Sequence, residues 1–590
     1  MERGKIVQWL VIGLAFFLFW KYGGNIFGKG SSDIAPRPEA ITAPKADEKN
    51  PRPEESTCTV KGRRFEAELS SRGASLRSVK LTDYATTAGS ADKLELVAPT
   101  REDTAPLSTD LRVPTGESQQ VPTDLLDWKI TDKKDDACTF VYEDAQTKIT
   151  KTIRATDKPF ELEASLDVKN LADAPRKHRL TVEQTSWRTA KETEGSMGRI
   201  SEHTTEVVAA TSEKTERLGP ADFEAKDFAD KEFTSERWRR SPGAAKWVAV
   251  SSVYFSKIAI PIEGPAPAAE AWIDEWWNTA RTPAADRTKD ADYGHVYHAR
   301  LAYPEVELAS QATQSYKILS FTGPKEREVL AAMNRGTDEA INLGTFSPIA
   351  KVLVSYLKIL YRGVGSWGWA ICLLTITVRM LLFPMSLSQI KSSAAMRRLK
   401  PEMDALNERY KDDPAQRGLA LQELWRKHGV TNPVIGCIPV LLQMPVWFAL
   451  YQTLQTAVEL YHVPFLSAGI IPDLSDKGAY FVIPAILGAS SFFQQRLMPP
   501  QGDPMQQKMM QYMLPGIFIV MMLYLPAGLG VYMLTNTWLG IAQQVAVERY
   551  LRNKTQGPAG IEVREKPSQP LADETKSAPA LGKGKARVRG

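Results

Sequence analysis

Cysteine is scarce. The 590 residues hold four, at 58, 138, 372 and 437. None forms a CxxC pair, which excludes a zinc ribbon, a thioredoxin-like centre and a dense disulfide scaffold. The six histidines make no HExxH, and His295 and His298 have no acidic partner at a metal-binding offset. There is no GxSxG, no P-loop, and no GxGxxG between a strand and a helix. Nothing here speaks for an enzyme, a cofactor or a metal. Charge of one sign is missing too: 74 Lys and Arg against 69 Asp and Glu leave a net +5. That balance gives no reason to expect a DNA binder. Charged residues at 24% and apolar ones at 43% exclude collagen-like and wholly disordered chains.

Averages hide segregation. Charge crowds into 30–345 and 386–430, while 431–548 is mostly apolar. Arg3 and Lys5 precede an apolar run at 6–20 with no small-x-small cleavage site after it, so 1–28 reads as an uncleaved signal anchor. Its basic end predicts a cytoplasmic N-terminus. Segment 29–56 holds five prolines among Ala, Ser and charges and cannot bury a core, so it reads as a linker.

Segment 57–323 reads as β. Phe160, Leu162, Ala164, Leu166 and Val168 alternate, as do Phe65, Ala67 and Leu69, which predicts strands with one buried face. The run 247–260 predicts one longer strand. Turn signals between such runs predict a large antiparallel sandwich. Cys58 and Cys138 both lie in it. Outside the cytoplasm they are candidates for a disulfide, but spacing does not set their distance.

The period then changes. Segment 325–343 predicts a helix, and Ser347-Pro348 an N-cap and first position for the next one. On that helix Lys351, Lys358 and Arg362 form a basic stripe beside Val352, Leu353, Tyr356, Ile359 and Leu360. This pattern suits a membrane surface, with a helix packed on the β domain as the alternative. Five apolar stretches follow, at about 365–385, 434–457, 478–498, 510–527 and 529–548, each near the ~20 residues a bilayer requires. With the anchor they predict six spans. The charge bias agrees: segment 386–433 carries nine Lys and Arg and the tail from Arg549 ten, while 458–477 carries only Lys477. Residues 386–430 predict a helical hairpin, divided at Pro401 and at Asp412-Asp413-Pro414 and stopped at Gly429. The tail 549–590 predicts a basic disordered segment suited to an RNA surface or anionic lipid.

Arg379 stands inside the second predicted span, where an arginine at mid-bilayer costs about 2.5–3.5 kcal/mol. Snorkelling to the headgroups is one reading. The other is a cation facing a wet cavity. Thr375 shares its face. Gln443, Gln452, Gln455, Gln494, Gln495, Tyr532, Thr535, Asn536, Gln543 and Gln544 are further polar groups in the predicted spans. No carboxylate within the spans is a resident partner for Arg379, so a visiting anion could fill that role. The visitor would be an ion, a lipid headgroup or an acidic side chain.

The stretches TVRMLLFPMSLSQIKSSAAMRRLKPEM, TNPVIGCIPVLLQMPVWFALYQTL, DPMQQKMMQYMLPGIF and LPAGLGVYMLTN, with SSRGASLRSVKL in the β segment, resemble the YidC/Oxa/Alb family of membrane insertases in its Gram-negative form. The resemblance implies a polytopic α-helical protein of the bacterial inner membrane. It would have six spans, a five-helix insertase core at 364–548 and a periplasmic all-β supersandwich at 57–323. Segment 324–363 would be a helical linker with an interfacial amphipathic helix, and both termini would be cytoplasmic. It implies a hydrophilic groove lined by Arg379, Thr375 and Tyr532, to which Gln443 and Asn536 are added from the polar pattern. The cytoplasmic hairpin, with Arg397, Arg398, Lys400, Tyr410 and Trp425, and the basic tail would face the ribosome. The implied partners are nascent membrane proteins, the Sec translocon, the ribosome and membrane lipids. A transporter of small anions or lipids is the competing reading of the same cavity, although no internal repeat supports it.

Overall fold

The computed structural model describes residues 53–99, 105–112, 127–194, 201–223, 239–277, 288–344, 346–411, 413–428, 438–466, 470–476, 482–497 and 509–555. The signal anchor, the linker up to residue 52, Gly429 and the tail beyond residue 555 lie outside the described residues. The linker's last residues are fastened to the β region: Ser56 donates its N–H to Ser71 Oγ at 2.9 Å, and Glu55 pairs with Arg77.

Among the described residues, strands run from residue 57 to 324. They are β1 Thr57–Gly62, β2 Phe65–Ser70, β3 Ser75–Ala85, β4 Lys93–Val97, β5 Ser108–Arg112, β6 Lys129–Lys133, β7 Ala137–Glu143, β8 Thr147–Ala155 and β9 Glu161–Asn170. Then follow β10 Arg176–Thr189, β11 Glu206–Thr211, β12 Thr215–Leu218, β13 Arg239–Ser251, β14 Phe255–Glu263, β15 Ala268–Trp277, β16 Tyr293–Ala302, β17 Val306–Leu308 and β18 Thr313–Pro324. Strands β1 to β4 pair in order as a small antiparallel sheet. The large sheet runs β17-β10-β16-β15-β13-β14-β18-β9-β8-β7-β6, with β5, β11 and β12 attached at its side.

Strand β13 makes the corner. Its first residues pair with β15 and its last with β14 and β11. The register slips between Ser241 and Ala244, where Pro242 supplies no N–H and Gly243 sits at φ 81°. A bulge of this kind lets one strand pass between two layers. Strands β10 and β16 thereby face β11, β13 and β14. Trp247, Tyr297, Tyr316, Phe140 and Phe321 fill the space between the layers and are fully buried.

The alternation at 160–168 is borne out: all five apolar residues are buried. The strand itself starts at Glu161, because Phe160 stands at φ 64° and lays its ring against Gly323. Several expectations need correction. The run 247–260 is two strands, β13 and β14, joined at 252–254. The segment 325–343 is a short helix, Arg327–Ala332, and a 3-10 turn, Thr337–Ala340, separated by Gly336 at φ 70°. Finally, Phe346 rather than Ser347 occupies the N-cap of the following helix, with Pro348 in its first turn.

The helices are α1 Ser347–Val364, α2 Trp367–Leu381, α3 Phe383–Arg398, α4 Lys400–Arg409, α5 Pro414–Lys427, α6 Ile438–Thr456, α7 Val482–Leu497, α8 Leu514–Met522 and α9 Ala527–Thr555. A π-helical turn, Met509–Met513, precedes α8. Helix α9 runs past residue 548, so 549–555 is helical rather than the start of a disordered tail. Among the described residues, no helix is long and apolar enough to cross a membrane. A second apolar core, including Leu357, Ile371, Leu374, Leu450, Leu487 and Tyr532, holds α1, α2, α6, α7 and α9 together.

Candidate functional site

Helices α2 and α9 pack side by side and bring the predicted polar residues together. Arg379 donates from Nε to Asn536 Oδ1 at 2.6 Å and from Nη2 to the Asn536 carbonyl at 3.0 Å. Its Nη1 donates to Gln543 Oε1 at 3.4 Å. Asn536 and Gln543 are seven residues apart, two turns on one face of α9. Gly540 lies between them, and a Cβ there would meet Arg379 Nη2 at 3.2 Å and Gln494 Nε2 of α7 at 2.9 Å. Tyr532, one turn before Asn536, is buried. Residues 532, 536, 540 and 543 therefore form one stripe, with the guanidinium laid across it.

All these contacts to Arg379 are neutral amides. Among the described residues no carboxylate pairs with it, and the side chain is half-buried. Thr375 is fully buried on α2, and its hydroxyl donates to the Ile371 carbonyl of its own helix at 2.7 Å. It sits one turn from Arg379 and serves its own backbone. Cys372 and Thr535 are in contact at 3.5 Å and add a second tie between α2 and α9. Gln443 belongs to α6, but its side chain lies outside the described residues. Gln452 of α6 instead donates to the Asn342 carbonyl at 2.9 Å, which fastens α6 to the chain before α1. Gln494, Gln543 and Gly540 complete the arginine's surroundings; Gly540 and Gln543 follow Asn536 by four and seven residues, whereas Gln494 comes from α7, where its signal was only that of a polar residue in a predicted span.

The hairpin of α3, α4 and α5 breaks at Leu399, with Pro401 in the first turn of α4. Asp413 Oδ1 accepts from the N–H groups of Ala415 and Gln416 and caps α5. Trp425 packs on the Met396 and Leu399 cluster, as does Met403, so it closes the hairpin rather than pointing outward. Arg398 and Lys400 are exposed, Tyr410 lies under the Arg409 guanidinium at 5.7 Å, and the Arg397 side chain is outside the described residues.

The basic stripe of α1 is already neutralised. Lys351 pairs with Asp338 at 3.3 Å, Arg362 with Glu328 at 3.3 Å, and Lys358 with Glu459 at 2.8 Å. Val352 and Ile359 stay 68% and 61% exposed, so the unpartnered part of this helix is its apolar side. Cys58 and Cys138 are joined in a disulfide.

A family model described as the YidC periplasmic domain matches residues 57–356, and one described as the 60Kd inner membrane protein matches residues 359–554. The membrane protein insertase YidC of Anaeromyxobacter dehalogenans strain 2CP-C is 32% identical over 529 residues, covering 86% of this chain and 87% of that protein. That of Geobacter sulfurreducens is 36% identical over 335 residues, 57% of this chain and 59% of the other. A crystal structure of an active YidC insertase with its first transmembrane domain resolved aligns with a TM-score of 0.34 and 18% identity, over 93% of this chain and 100% of that one. A periplasmic β-sandwich and an inner-membrane helical region thus occur in one chain, which defines an inner-membrane protein class. The chain belongs to the YidC family of membrane protein insertases.

Proposed function

We propose that this insertase receives the polar flank of a nascent span at the stripe of Arg379, Asn536, Gln543 and Tyr532, and releases the apolar part into lipid. One observation carries the reading: a half-buried guanidinium is held only by neutral amides among the described residues. Its charge is oriented but not cancelled, so it attracts an acidic flank temporarily. Two unit charges 4 Å apart at an effective dielectric of 20 attract by about 4 kcal/mol before desolvation. Burying the substrate's apolar surface, at about 25 cal/mol per Å², then drives release. The membrane potential adds about 2.3 kcal/mol per charge per 100 mV. No covalent step enters, so the protein works as a chaperone rather than a catalyst.

The chain is read as a signal anchor at 1–28, a linker at 29–56, a periplasmic domain at 57–323, a linker and interfacial helix at 324–363, and an insertase core at 364–548. The core supplies five of six spans. Groove-lining spans carry Thr, Asn and Gln, which lowers their hydropathy below that of a lipid-embedded helix. The exposed Val352 and Ile359 fit the lipid interface. The hairpin's exposed Arg398 and Lys400, with the basic tail, suit the ribosome, and the Sec translocon would be a further partner.

Arg379→Ala is expected to lower insertion of single-span substrates with acidic translocated tails about tenfold, equivalent to about 1.4 kcal/mol. Neutral-tailed substrates should be nearly unaffected. The assay is protease protection of substrates in proteoliposomes containing the variant. An equal loss for both classes would remove the electrostatic role. Arg379→Lys should keep most activity if charge suffices; if it fails, the bidentate geometry toward Asn536 matters.

A further inference from the structure

A second uncompensated positive site lies in the β-sandwich, away from the membrane core's arginine. Strand β10 carries Ser186 and Arg188 into the sandwich, opposite Lys257 of β14. A cavity of about 20 Å³ lies between them, lined also by the hydroxyl side chains of Ser252, Ser256 and Thr205 and by three apolar ones, and by no carboxylate among the described residues. A single water requires about 10–15 Å³, so the space admits a water or one monatomic anion. The Arg188 Nε is buried and makes no hydrogen bond, and the Ser256 hydroxyl is likewise buried without a partner. The Lys257 ammonium donates to the Thr185 carbonyl at 3.0 Å, which leaves two of its hydrogens for another acceptor. Burial pushes that ammonium down to about 7, and the Arg188 charge adds to the shift.

Two basic side chains beside one small cavity, without a carboxylate in its described lining, form an incomplete electrostatic unit. Both side chains keep some exposure, but the Arg188 Nε is shielded from solvent, and a shielded cationic donor is ordinarily paired. A water in the cavity would satisfy a donor but leave the Arg188 charge, and that of Lys257 where it is protonated, uncancelled. We propose that this cavity is a binding site for a small monovalent anion of chloride size, held by Arg188 and Lys257. The size of the cavity excludes a phospholipid headgroup or an organic acid. The site ties β10 to β14 across the two layers of the sandwich, so the anion would act as a structural bridge.

The test uses the full chain in detergent micelles. Thermal unfolding midpoints are compared in sodium chloride, sodium bromide and sodium gluconate at equal ionic strength, and crystals are soaked in bromide for anomalous diffraction. The expected result is a bromide peak between Arg188 and Lys257, with a saturable rise in midpoint for both halides and none for gluconate. Lys257→Met should abolish the halide-dependent part of the rise. Identical midpoints in the three salts would overturn the proposal, as would a halide effect that survives in Lys257→Met. A bromide peak without any midpoint effect would mark an adventitious ion and overturn it too. If Lys257→Met does not fold, Arg188→Gln replaces it, and a wild-type cavity that shows water without a bromide peak decides against the site.

Discussion

Gly540 gives the Arg379 guanidinium its seat on α9. A methyl group there would press on the free ends of two flexible side chains, Arg379 and Gln494, which are able to give by a few tenths of an ångström. Gly540→Ala should therefore be nearly neutral. Gly540→Leu fills the stripe and displaces the guanidinium, yet leucine is the better helix former by about 0.8 kcal/mol. The expected outcome is a fully folded protein that inserts acidic-tailed substrates as poorly as Arg379→Ala. Parallel thermal melts and insertion assays check it; wild-type insertion by Gly540→Leu would mean the stripe is not the substrate path. At this scale Arg379 was legible because a single charge interrupts an apolar run. Its amide partners were less so. The last helix carries many polar residues, and only the spacing of 532, 536, 540 and 543 separates its stripe from the rest. Thr375 was legible as a neighbour, while its hydrogen bond to Ile371 depends on a rotamer that a sequence does not state.

Strand β1 belongs to the small sheet and β7 to the large one, and the Cys58–Cys138 bond joins the two. The bond closes a loop with a sequence separation of 80. On the chain-entropy account such a cross-link contributes about 4 kcal/mol by restricting the unfolded chain. The double variant Cys58→Ala/Cys138→Ala avoids placing a hydroxyl in the core, where both cysteines are buried. Its unfolding midpoint in denaturant should fall, and reductant should lower the wild-type midpoint toward it while leaving the variant unchanged. An unchanged midpoint would mean that the two sheets hold together by packing alone. Elements were legible where one face is wet, as in β9, whose alternation is plain. They were not where both faces are buried: 247–251 and 256–260 read as one run, because the turn at 252–254 contains neither Gly nor Pro. The segment 325–343 has helical composition, but Asn334 and Gly336 take positive φ and stop the helix after two turns.

Sidedness can be argued from contacts. Tyr461, in the loop after α6, packs against Tyr254 and Phe255 of the β region with ring centres 5.1 and 5.2 Å apart. Lys358 adds the bond to Glu459 in the same loop. The loop and the β region therefore share one side of the membrane. The disulfide places that side in an oxidising compartment. The basic hairpin of α3 to α5 follows α2 and precedes α6, and with the positive-inside bias this order predicts that each of these helices crosses once. Helix α2 has 15 residues and spans about 22 Å, less than the ~30 Å of a hydrocarbon core. On the proposed reading, a helix this short beside a polar stripe would sit in a locally thin, wetted path, which lowers the cost of moving a polar flank. The sidedness has a direct check in a Cys372→Ser/Cys437→Ser background carrying either Ile470→Cys or Lys411→Cys, both at exposed positions. A membrane-impermeant maleimide added to spheroplasts should label position 470 at once and position 411 only after permeabilisation. Labelling of 411 in intact spheroplasts would put the hairpin on the β side. The charge bias would then have misled, and α2 and α6 would not cross as single spans. The labelling pattern tests the crossing of α2 independently of its hydropathy, which a helix carrying Arg379 and Thr375 lowers for reasons unrelated to whether it spans.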